Sequence, residues 1–364
     1  MSVNPSSGIQ LWTVPRTGKY IIDAYGAKAG DNTKNTGGGK GARMKGTFSL
    51  IKDDKYMILI GQMGGKSSHQ HGGSGGGGGT FIVKGTKPWS SNISDVLIVA
   101  AGGGGAGGSA WGRLGYNALA NPNNTSTLGG KEGAYKTGGG GSFDKNGGGN
   151  HLGASFMSGG KGGSANGASY GGKGIGGFGG GGGVSGHPGG GGGGYTGGNA
   201  GYKPHHIHGG HGGGSRNNGT KQTNTAGYNN NHGKVIISFL PCNETLSGTK
   251  GNGYRGCQTK TSSGKTCMNW SSQSPHKHIN TPEKKKDFGI GDHNYCRNPD
   301  SEKTIWCYTT DKSKRWEFCS PKQGGVARDV VQSVFFKKGK TITESMTDKL
   351  FTPLIDGRED QKVD

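Results

Sequence analysis

The sequence predicts a mostly β protein that ends in a small disulfide-rich module. Short runs rich in Ile, Val, Tyr and Phe, bounded by Gly, Pro and Asp, fill residues 8–101 and are typical of the strands of a β-sandwich. Glycine accounts for 83 of the 364 residues and only 28% are hydrophobic, so either glycine itself or disorder replaces much of the usual core. All six cysteines lie between Cys242 and Cys319. An even number in so short a segment favours a disulfide framework over zinc, because the spacings fit no common zinc finger.

Seven apolar runs predict the strands of the sandwich. Six precede the glycine-rich segment and the seventh follows it, so the sequence predicts a β domain at residues 1–241 whose final strand returns after a long insertion. Asp53 and Asp54 lie between two of the runs and predict a hairpin turn. The runs are residues 9–14, 19–27, 46–51, 56–62, 80–85, 96–101 and 234–239.

Residues from about 102 to 232 are mostly glycine with scattered Asn, Ser and His. Such a composition on its own favours disorder. A collagen helix is excluded because glycine does not recur strictly at every third position. A third alternative is a set of packed, extended helices of the polyproline-II type. Glycine lacks Cβ, so such helices could approach closely and exchange lateral backbone hydrogen bonds.

Three segments follow one another in a characteristic order along this part of the chain. They are GIQLWTVPRTGKYIIDAYGAKAG (8–30), GTFSLIKDDKYMILIGQMGG (46–65) and GGFGGGGGVSGHPGGGGGGYTGGNAG (176–201). From about residue 8 to residue 240 the chain resembles the ectodomains of the anaplastic lymphoma kinase and leukocyte receptor tyrosine kinase family. The resemblance implies a tumour-necrosis-factor-like sandwich merged with a bundle of polyglycine helices, which binds small cytokine-like ligands and drives receptor dimerisation. The chain departs from that family in having no cysteine before Cys242, and ligand-contacting residues do not carry over.

Residues 242–320 carry a second set of motifs at fixed spacings: GNGYRG (251–256), SSGKTCMNW (262–270), NYCRNPD (294–300) and WCYTTDKSKRWEFC (306–319). They resemble a kringle, and the resemblance implies the disulfides Cys267–Cys307 and Cys296–Cys319. A kringle's usual outer bridge needs a cysteine shortly after Cys319, and this sequence has none there. We expect a substitute bridge, Cys242–Cys257, worth roughly 3 kcal/mol for a loop of about 15 residues.

The resemblance also implies a ligand site. In lysine-binding kringles an acid pair holds the ligand ammonium, and aromatic rings line a trough beneath its methylene stem. Asp300 and Glu302 occupy the acid positions, and Arg315 matches a cation that holds the ligand carboxylate. Two carboxylates can clamp one ammonium, and aromatic faces add about 0.5–2 kcal/mol of cation–π and apolar contact. Asn280 replaces a second cation found in some members, which predicts weaker carboxylate binding. The aromatic positions fall on Trp306, Tyr308 and Trp316.

Two alternatives to lysine recognition stay open for this module. It can be a scaffold in which Trp306 is part of the core and Lys303 neutralises Glu302. It can also bind sulfated glycans through Lys284–Lys286, because the chain has a net charge of +21 and a basic surface favours polyanions. The excess is largest in residues 1–241, with 22 Lys and Arg against 7 Asp and Glu. In an extracellular protein this favours glycans over nucleic acid.

The sequence predicts neither an enzyme nor a cofactor. Asp287-Phe288-Gly289 spells a kinase motif, but it lies in a cysteine-framed loop with no H-R-D segment before it. No paired acids or Ser/His/Asp set stands in a catalytic frame. The segment HHIHGGH is a weak candidate for zinc, copper or nickel, although polar filler in a glycine loop is the simpler interpretation. Its candidate ligands are His205, His206, His208 and His211.

Disulfides predict an extracellular protein, either secreted or a cell-surface ectodomain. The N-terminus lacks a signal-peptide pattern and no apolar run is long enough to span a membrane, so we expect a mature form or an ectodomain fragment. Apolar pairs up to Val334-Phe335 predict that the tail at residues 321–364 is partly helical or disordered. The N-x-S/T sequons are glycosylation candidates: Asn92, Asn123, Asn124, Asn218, Asn243 and Asn269.

These observations predict an extracellular, non-enzymatic recognition or adhesion protein whose kringle binds lysine-type groups on partner proteins. The first alternative is the ligand-binding ectodomain of a receptor tyrosine kinase whose membrane and kinase parts are absent from this sequence. The second is a structural matrix or fibre protein.

Overall fold

The computed structural model of the chain contains two compact units. The first holds the described residues up to Phe239 together with two short strands beyond residue 333, and the second holds residues 240–321. The residues that the structure describes are 2–3, 8–32, 37–67, 71–86, 92–108, 114–121, 123, 126–165, 174–184, 186–202, 208–321, 334–337 and 340–342.

Strands dominate the regular structure, and the prediction of a mostly β fold is confirmed. In the first unit, sheet A has the strand order β1-β2-β5-β6-β7-β8 and sheet B the order β14-β13-β10-β3-β4-β9. Helical structure among the described residues is limited to 3-10 turns at Ile93–Asp95, Ala134–Lys136, Thr249–Gly251 and Lys286–Phe288. The strands are β1 Ser2–Val3, β2 Ile9–Thr13, β3 Gly18–Tyr25, β4 Gly41–Leu50, β5 Lys55–Leu59, β6 Thr80–Lys84, β7 Val96–Ala100, β8 Arg216–Asn217, β9 Thr220–Asn229, β10 Lys234–Leu240, β11 Trp306–Tyr308, β12 Trp316–Phe318, β13 Val334–Lys337 and β14 Lys340–Ile342.

The two sheets share one apolar core. Trp12 of β2 in sheet A packs edge-on against Tyr20 of β3 in sheet B, with ring centroids 5.7 Å apart. Successive side chains of a strand point to opposite faces, so alternate residues of each strand enter this core. The main buried contributors are Trp12, Tyr56, Ile58, Ile82 and Ile98 from sheet A and Tyr20, Ile22, Met44, Phe48, Val235 and Ile237 from sheet B.

The other face of sheet A packs against the glycine-rich segments. Phe81 of β6 stacks on Phe156, with centroids 5.1 Å apart, and Phe156 stacks in turn on Phe143 at 5.7 Å. Tyr195 is fully buried in the same cluster. A few aromatic side chains within the tract therefore anchor it to a sheet that is apolar on both faces.

The glycine segments are hydrogen-bonded to one another across long sequence separations. Gly76 donates to Gly182 at 2.9 Å, Gly182 to Gly191 at 2.8 Å, and Gly191 to Gly138 at 3.1 Å. A Cβ atom added at Gly140 would lie 2.0 Å from the carbonyl oxygen of Gly192, far inside van der Waals contact. These backbones pack too closely for any side chain, which explains why the residue is glycine.

Three sequence interpretations need correction. Asp53, with φ of +69°, does lie in a turn, but β4 belongs to sheet B and β5 to sheet A, so the turn crosses between the sheets and is not a hairpin. The predicted glycine tract up to residue 232 contains the ten-residue strand β9. The predicted tail helix is wrong at Val334 and Phe335, which lie in β13 beside β10; the tail's earlier apolar pairs fall outside the described residues.

The second unit has little regular structure besides the pair β11–β12. Its core is built around Trp270, which is 1% exposed and contacts the rings of Trp306 and Tyr308 edge-on. Three disulfides cross-link it: Cys242–Cys257, Cys267–Cys307 and Cys296–Cys319. Covalent links replace the extended core that a module of this size cannot build.

Candidate functional site

Two disulfides stack at the centre of the second unit. The Sγ atoms of Cys267 and Cys296, which belong to different bridges, are 3.7 Å apart. The four sulfurs of Cys267, Cys296, Cys307 and Cys319 lie within 4.8 Å of one another, and all four residues are buried. Each sulfur is bonded to another sulfur, so this group offers no thiolate to zinc. The stacked bridges fix the strands that carry the candidate site.

Strand pairing brings the three candidate aromatic residues together. In the β11–β12 ladder Tyr308 lies opposite Trp316, and Trp306 is two residues away on the same face. The ring of Trp306 is 5.0 Å from that of Tyr308 and 5.7 Å from that of Trp316, both edge-on. Trp306 and Tyr308 are buried at 3% and 7% exposure, whereas Trp316 is 39% exposed. Trp316 is therefore the ring with the most surface available to a ligand.

The two acids are carried by a short loop next to β11. Arg297 and Trp306 exchange both backbone hydrogen bonds, at 3.0 and 2.8 Å, which sets the loop beside the strand. Asn298 then accepts from the N–H of Glu302 at 2.9 Å and donates to its carbonyl at 2.8 Å. Ser301, at the tip, has a φ of +65°. The loop turns tightly, and both carboxylates face solvent.

Asp300 is joined directly to the aromatic group. The indole Nε1–H of Trp306 donates to Oδ1 of Asp300 at 2.9 Å. This bond orients the carboxylate and leaves its second oxygen for another donor. Among the described residues, the side chain of Glu302 makes no ion pair with Lys303. The neutralisation of Glu302 proposed by the scaffold interpretation is therefore not seen.

Two further polar residues, Arg315 and Asn280, interact with the aromatic group at Tyr308. The guanidinium carbon of Arg315 lies 5.4 Å from the ring centroid of Tyr308. Its Nη2 donates to the carbonyl of Lys277 at 2.6 Å. Asn280 is 5% exposed and lies within hydrogen-bonding reach of the Tyr308 hydroxyl. Burial raises the pKa of Tyr308, while the charge of Arg315 and the hydrogen bond from Asn280 oppose that rise.

His278 is a member of this group that sequence reasoning missed. Its ring stacks on Tyr308, with centroids 4.3 Å apart and 13° between the planes. Its Nε2 lies 2.9 Å from the carbonyl of Ser272, so that nitrogen carries the proton. Burial lowers the pKa of His278. No local sequence motif identifies a histidine whose ring stacks on an aromatic side chain of the site. Only the short distance to Tyr308 in the structure reveals it.

A buried carboxylate holds the region near the unusual bridge Cys242–Cys257. Glu244 is 6% exposed and accepts from the Tyr254 hydroxyl and, at 2.9 Å, from the backbone N–H of Cys257. Burial, and then the hydrogen bond to Glu244, raise the pKa of Tyr254. The bridge and this hydrogen-bond pair together close the N-terminal edge of the unit.

His293 makes the stability of this unit depend on pH. Burial, then the charge of Arg297, lower the pKa of His293 from 6.5 to about 4. The neutral ring donates to the Gly289 carbonyl and accepts from the Tyr295 N–H, at 2.9 and 3.2 Å. The unfolded chain binds this proton at the ordinary pKa, so the stabilisation is complete above pH 6.5 and lost as pH falls towards 4.

We expect the free energy of unfolding to fall by about 1 kcal/mol across this window, after allowance for the solvent exposure of His293. Thermal unfolding of the whole chain at pH 7 and pH 4.5, beside His293→Gln, measures the effect. An unchanged pH dependence in the variant would show that another group is responsible.

The remaining candidates lie elsewhere. His208 and His211 line a cavity of about 560 Å³ in the first unit with Lys131 and Glu132, and His211 stacks on Tyr116 at 4.6 Å. His205 and His206 lie outside the described residues.

Among the sequons, four asparagines are exposed: Asn92, Asn123, Asn218 and Asn243. Asn269 donates to Asp292 at 3.0 Å, and Asn124 is outside the described residues. No helix in the described part of the chain is long and apolar enough to cross a membrane.

Comparison with known proteins concerns the second unit. Residues 247–323 match the family model described as kringle domain. The chain is 51% identical over 73 residues to plasminogen from Capra hircus, a match that covers 20% of this chain and 58% of that sequence. It is 50% identical over 94 residues to apolipoprotein(a)-like protein 2 from Homo sapiens, covering 24% of this chain and 70% of that protein. The chain thus spans little more than half of the goat plasminogen sequence.

The family match and the similarity to both relatives fall on the unit that contains the two stacked disulfides. A kringle is a protein-binding module. Through residues 247–323, this chain belongs to the kringle family.

Proposed function

We propose that this is an extracellular, non-enzymatic recognition protein whose kringle binds lysine-type ammonium groups on partner proteins. The observation that carries the proposal is the pair of exposed carboxylates, Asp300 and Glu302, beside an aromatic group in which Asp300 accepts from the Trp306 indole. Three disulfides support an oxidising compartment, and hence an extracellular location.

The chemistry of this site suits a primary ammonium. An ammonium offers three donors, and the free oxygen of Asp300 together with the exposed carboxylate of Glu302 can accept from it. The methylene stem would lie over Trp306 and Trp316, whose rings give apolar area and cation–π attraction. A basic protein would repel a lysine from most of its surface. The acid pair is a local exception, where two adjacent negative charges attract the ligand.

Asp300→Asn is expected to weaken binding of 6-aminohexanoate to the whole chain by about 10- to 100-fold. The variant keeps the oxygen that accepts from Trp306 but removes the charge that pairs with the ammonium, and a hydrogen bond to a charged group contributes about 1.5–3 kcal/mol. Isothermal titration calorimetry measures the dissociation constant.

Asp287→Asn is the matched control. Asp287 is exposed in the same unit and its substitution removes the same charge, so a general electrostatic effect would appear in both variants. Equal binding by Asp300→Asn and the parent chain would refute the lysine-type site.

Sulfated glycans are the second candidate ligand for this unit. Lys284 and Lys286 are exposed, while Lys285 is partly buried and donates to the Pro299 carbonyl at 3.1 Å. A heparin fragment in the same titration separates the candidates, because glycan binding weakens steeply with salt and is unaffected by Asp300→Asn.

For the first unit we propose that the glycine segments form a bundle of polyproline-II-type helices. The lateral bonds between Gly76, Gly182 and Gly191 support it, as does the absence of space for a Cβ at Gly140. The shared core of two six-stranded sheets supports the alternative that this unit is the cytokine-binding part of a receptor ectodomain. If the kringle bound neither 6-aminohexanoate nor heparin, that result would favour this alternative.

A further inference from the structure

Three segments of the glycine-rich region form a groove in the first unit: 126–132, 196–202 and 208–214. Gly197 of the middle segment donates to the Leu128 carbonyl at 2.9 Å. On the other side, His211 donates to the Asn199 carbonyl at 2.8 Å. Two cavities, of about 560 and 490 Å³, are each lined by residues from all three segments. Both include Lys131, Asn199 and His211, so they are parts of one continuous groove.

The backbone that lines this groove has donors and acceptors without partners. In the described part of the chain, neither the N–H nor the C=O of Gly129, Gly209 or Gly212 is hydrogen-bonded. The N–H of Asn199 and the C=O of Gly197 also lack a partner there. A row of unpaired backbone groups is a template on which another chain can pair, as at the edge of a β-sheet.

The unpaired groups recur with the period of a polyproline-II helix. Such a helix has three residues per turn, so Gly209 and Gly212 face the same way, with a repeat of about 9 Å. Gly210 and Gly213, which follow them, donate to carbonyls of other glycine segments at 2.8 and 2.9 Å. One side of this segment is therefore paired within the unit, while the side at the groove is open to a chain of the same period.

The rim of the groove adds a charge and apolar surface. Lys131 is exposed and makes no ion pair with any described residue. Glu132, its neighbour, already pairs with Lys136 at 3.7 Å. Leu128 and Tyr202 are 67% and 78% exposed. The uncompensated charge of Lys131 favours a ligand that carries an acidic side chain.

We propose that this groove binds an extended, glycine-rich segment of a partner protein as one further helix of the bundle. The inference rests on the proposed polyproline-II bundle and gives the first unit a peptide-binding function of its own. Glycine is needed on the inner side of the ligand because these backbones pack too closely for a Cβ, as at Gly140. The groove is flanked by single segments, which suits one extended peptide better than the face of a second folded copy.

The test is calorimetric titration of the whole chain with the acetylated and amidated nonapeptide (Gly-Gly-Asp)3. The matched control peptide has N-methylglycine at every glycine, which keeps the charge and the absence of Cβ but removes the N–H donors. We expect the control to bind at least about tenfold more weakly, since several hydrogen bonds to the groove are lost. Lys131→Gln should weaken binding of the glycine peptide by about threefold. Lys145→Gln, an exposed lysine outside the groove, should leave it unchanged.

Amide hydrogen exchange, followed by NMR on the whole chain, gives a second readout. With the glycine peptide bound, the N–H groups of Gly129, Asn199, Gly209 and Gly212 should exchange at least about tenfold more slowly. A merely electrostatic attraction to Lys131 would not protect them.

The outcomes separate this inference from the bundle on which it rests. Equal affinity for both peptides, or no binding at about 1 mM glycine peptide, would overturn the inference and leave the bundle intact. Rapid exchange of the Gly210 and Gly213 N–H groups in the free chain would overturn the bundle itself. A dimer of the free chain that the peptide dissociates would assign the groove to a second copy and overturn the proposed partner.

Discussion

Replacing Gly140 by alanine is expected to lower the unfolding temperature of the first unit by roughly 10 °C. The new Cβ would lie 2.0 Å from the Gly192 carbonyl oxygen, so backbone segments must separate. Gly140 also donates to Gly198 and accepts from Gly130, and both bonds depend on that spacing. Overpacking and lost hydrogen bonds together cost about 3 kcal/mol, which corresponds to several degrees in a unit of this size. Calorimetric unfolding of the whole chain measures the shift.

Gly37→Ala is the control for the change of residue type. Its added Cβ would meet nothing closer than Leu114 Cδ2 at 3.8 Å, an ordinary contact. The two variants have the same change in chain entropy. Similar unfolding temperatures for both would contradict a close-packed glycine bundle.

Removing the bridge Cys267–Cys307 through two alanine substitutions is expected to unfold the kringle at 37 °C. Its two half-cystines are 40 residues apart in sequence, and both are at most 1% exposed. In the chain-entropy model a loop of that length gives roughly 4 kcal/mol, a large share of what a module of about 80 residues possesses. Hydrogen exchange of peptides from residues 242–321 in the whole chain reports the loss.

The bridge Cys242–Cys257 offers the comparison. It closes only 15 residues and contributes roughly 3 kcal/mol in the same model. Because Glu244 still holds Tyr254 and the N–H of residue 257 there, the corresponding double variant should remain folded. A kringle that tolerates loss of Cys267–Cys307 better than loss of Cys242–Cys257 would show that the stacked core is not its main support.

The kringle was the part of the fold most accessible from sequence. Its motifs have fixed spacings. Two of the disulfides in the structure, Cys267–Cys307 and Cys296–Cys319, are the pairs that the resemblance implied, and the third is the expected substitute bridge Cys242–Cys257. The apolar strands of the first unit were also predictable, since β-branched and aromatic runs between turn residues are a strong local signal. Pairing between them was not. The turn at Asp53 has the same residues whether it joins two strands of one sheet or crosses between sheets.

Two elements left too little local signal to be predicted. Strand β9, TKQTNTAGYN, is mostly exposed at the edge of sheet B and shows no apolar alternation. Strand β13 has apolar residues, but its identity depends on a partner, β10, about 100 residues earlier. Both are strands because of long-range pairing, which overrides local propensity.

Within the candidate site, sequence predicted the chemical types but not how each group is engaged. The motifs identified Asp300, Glu302 and the aromatic residues. They could not show that Arg315 is bonded to the Lys277 carbonyl or that His278 stacks on Tyr308. Such contacts join loops that are far apart in sequence.

The return of the chain to sheet B affects how the molecule carries mechanical load. The chain leaves the sheet from β10 to enter the kringle and comes back to it in β13, where Val334 lies opposite Ile237. A force applied to the segment between these strands is therefore shared by two neighbouring strands at the same end of their pairing. A cut in one of the two connections leaves the kringle joined to the sheet through the other.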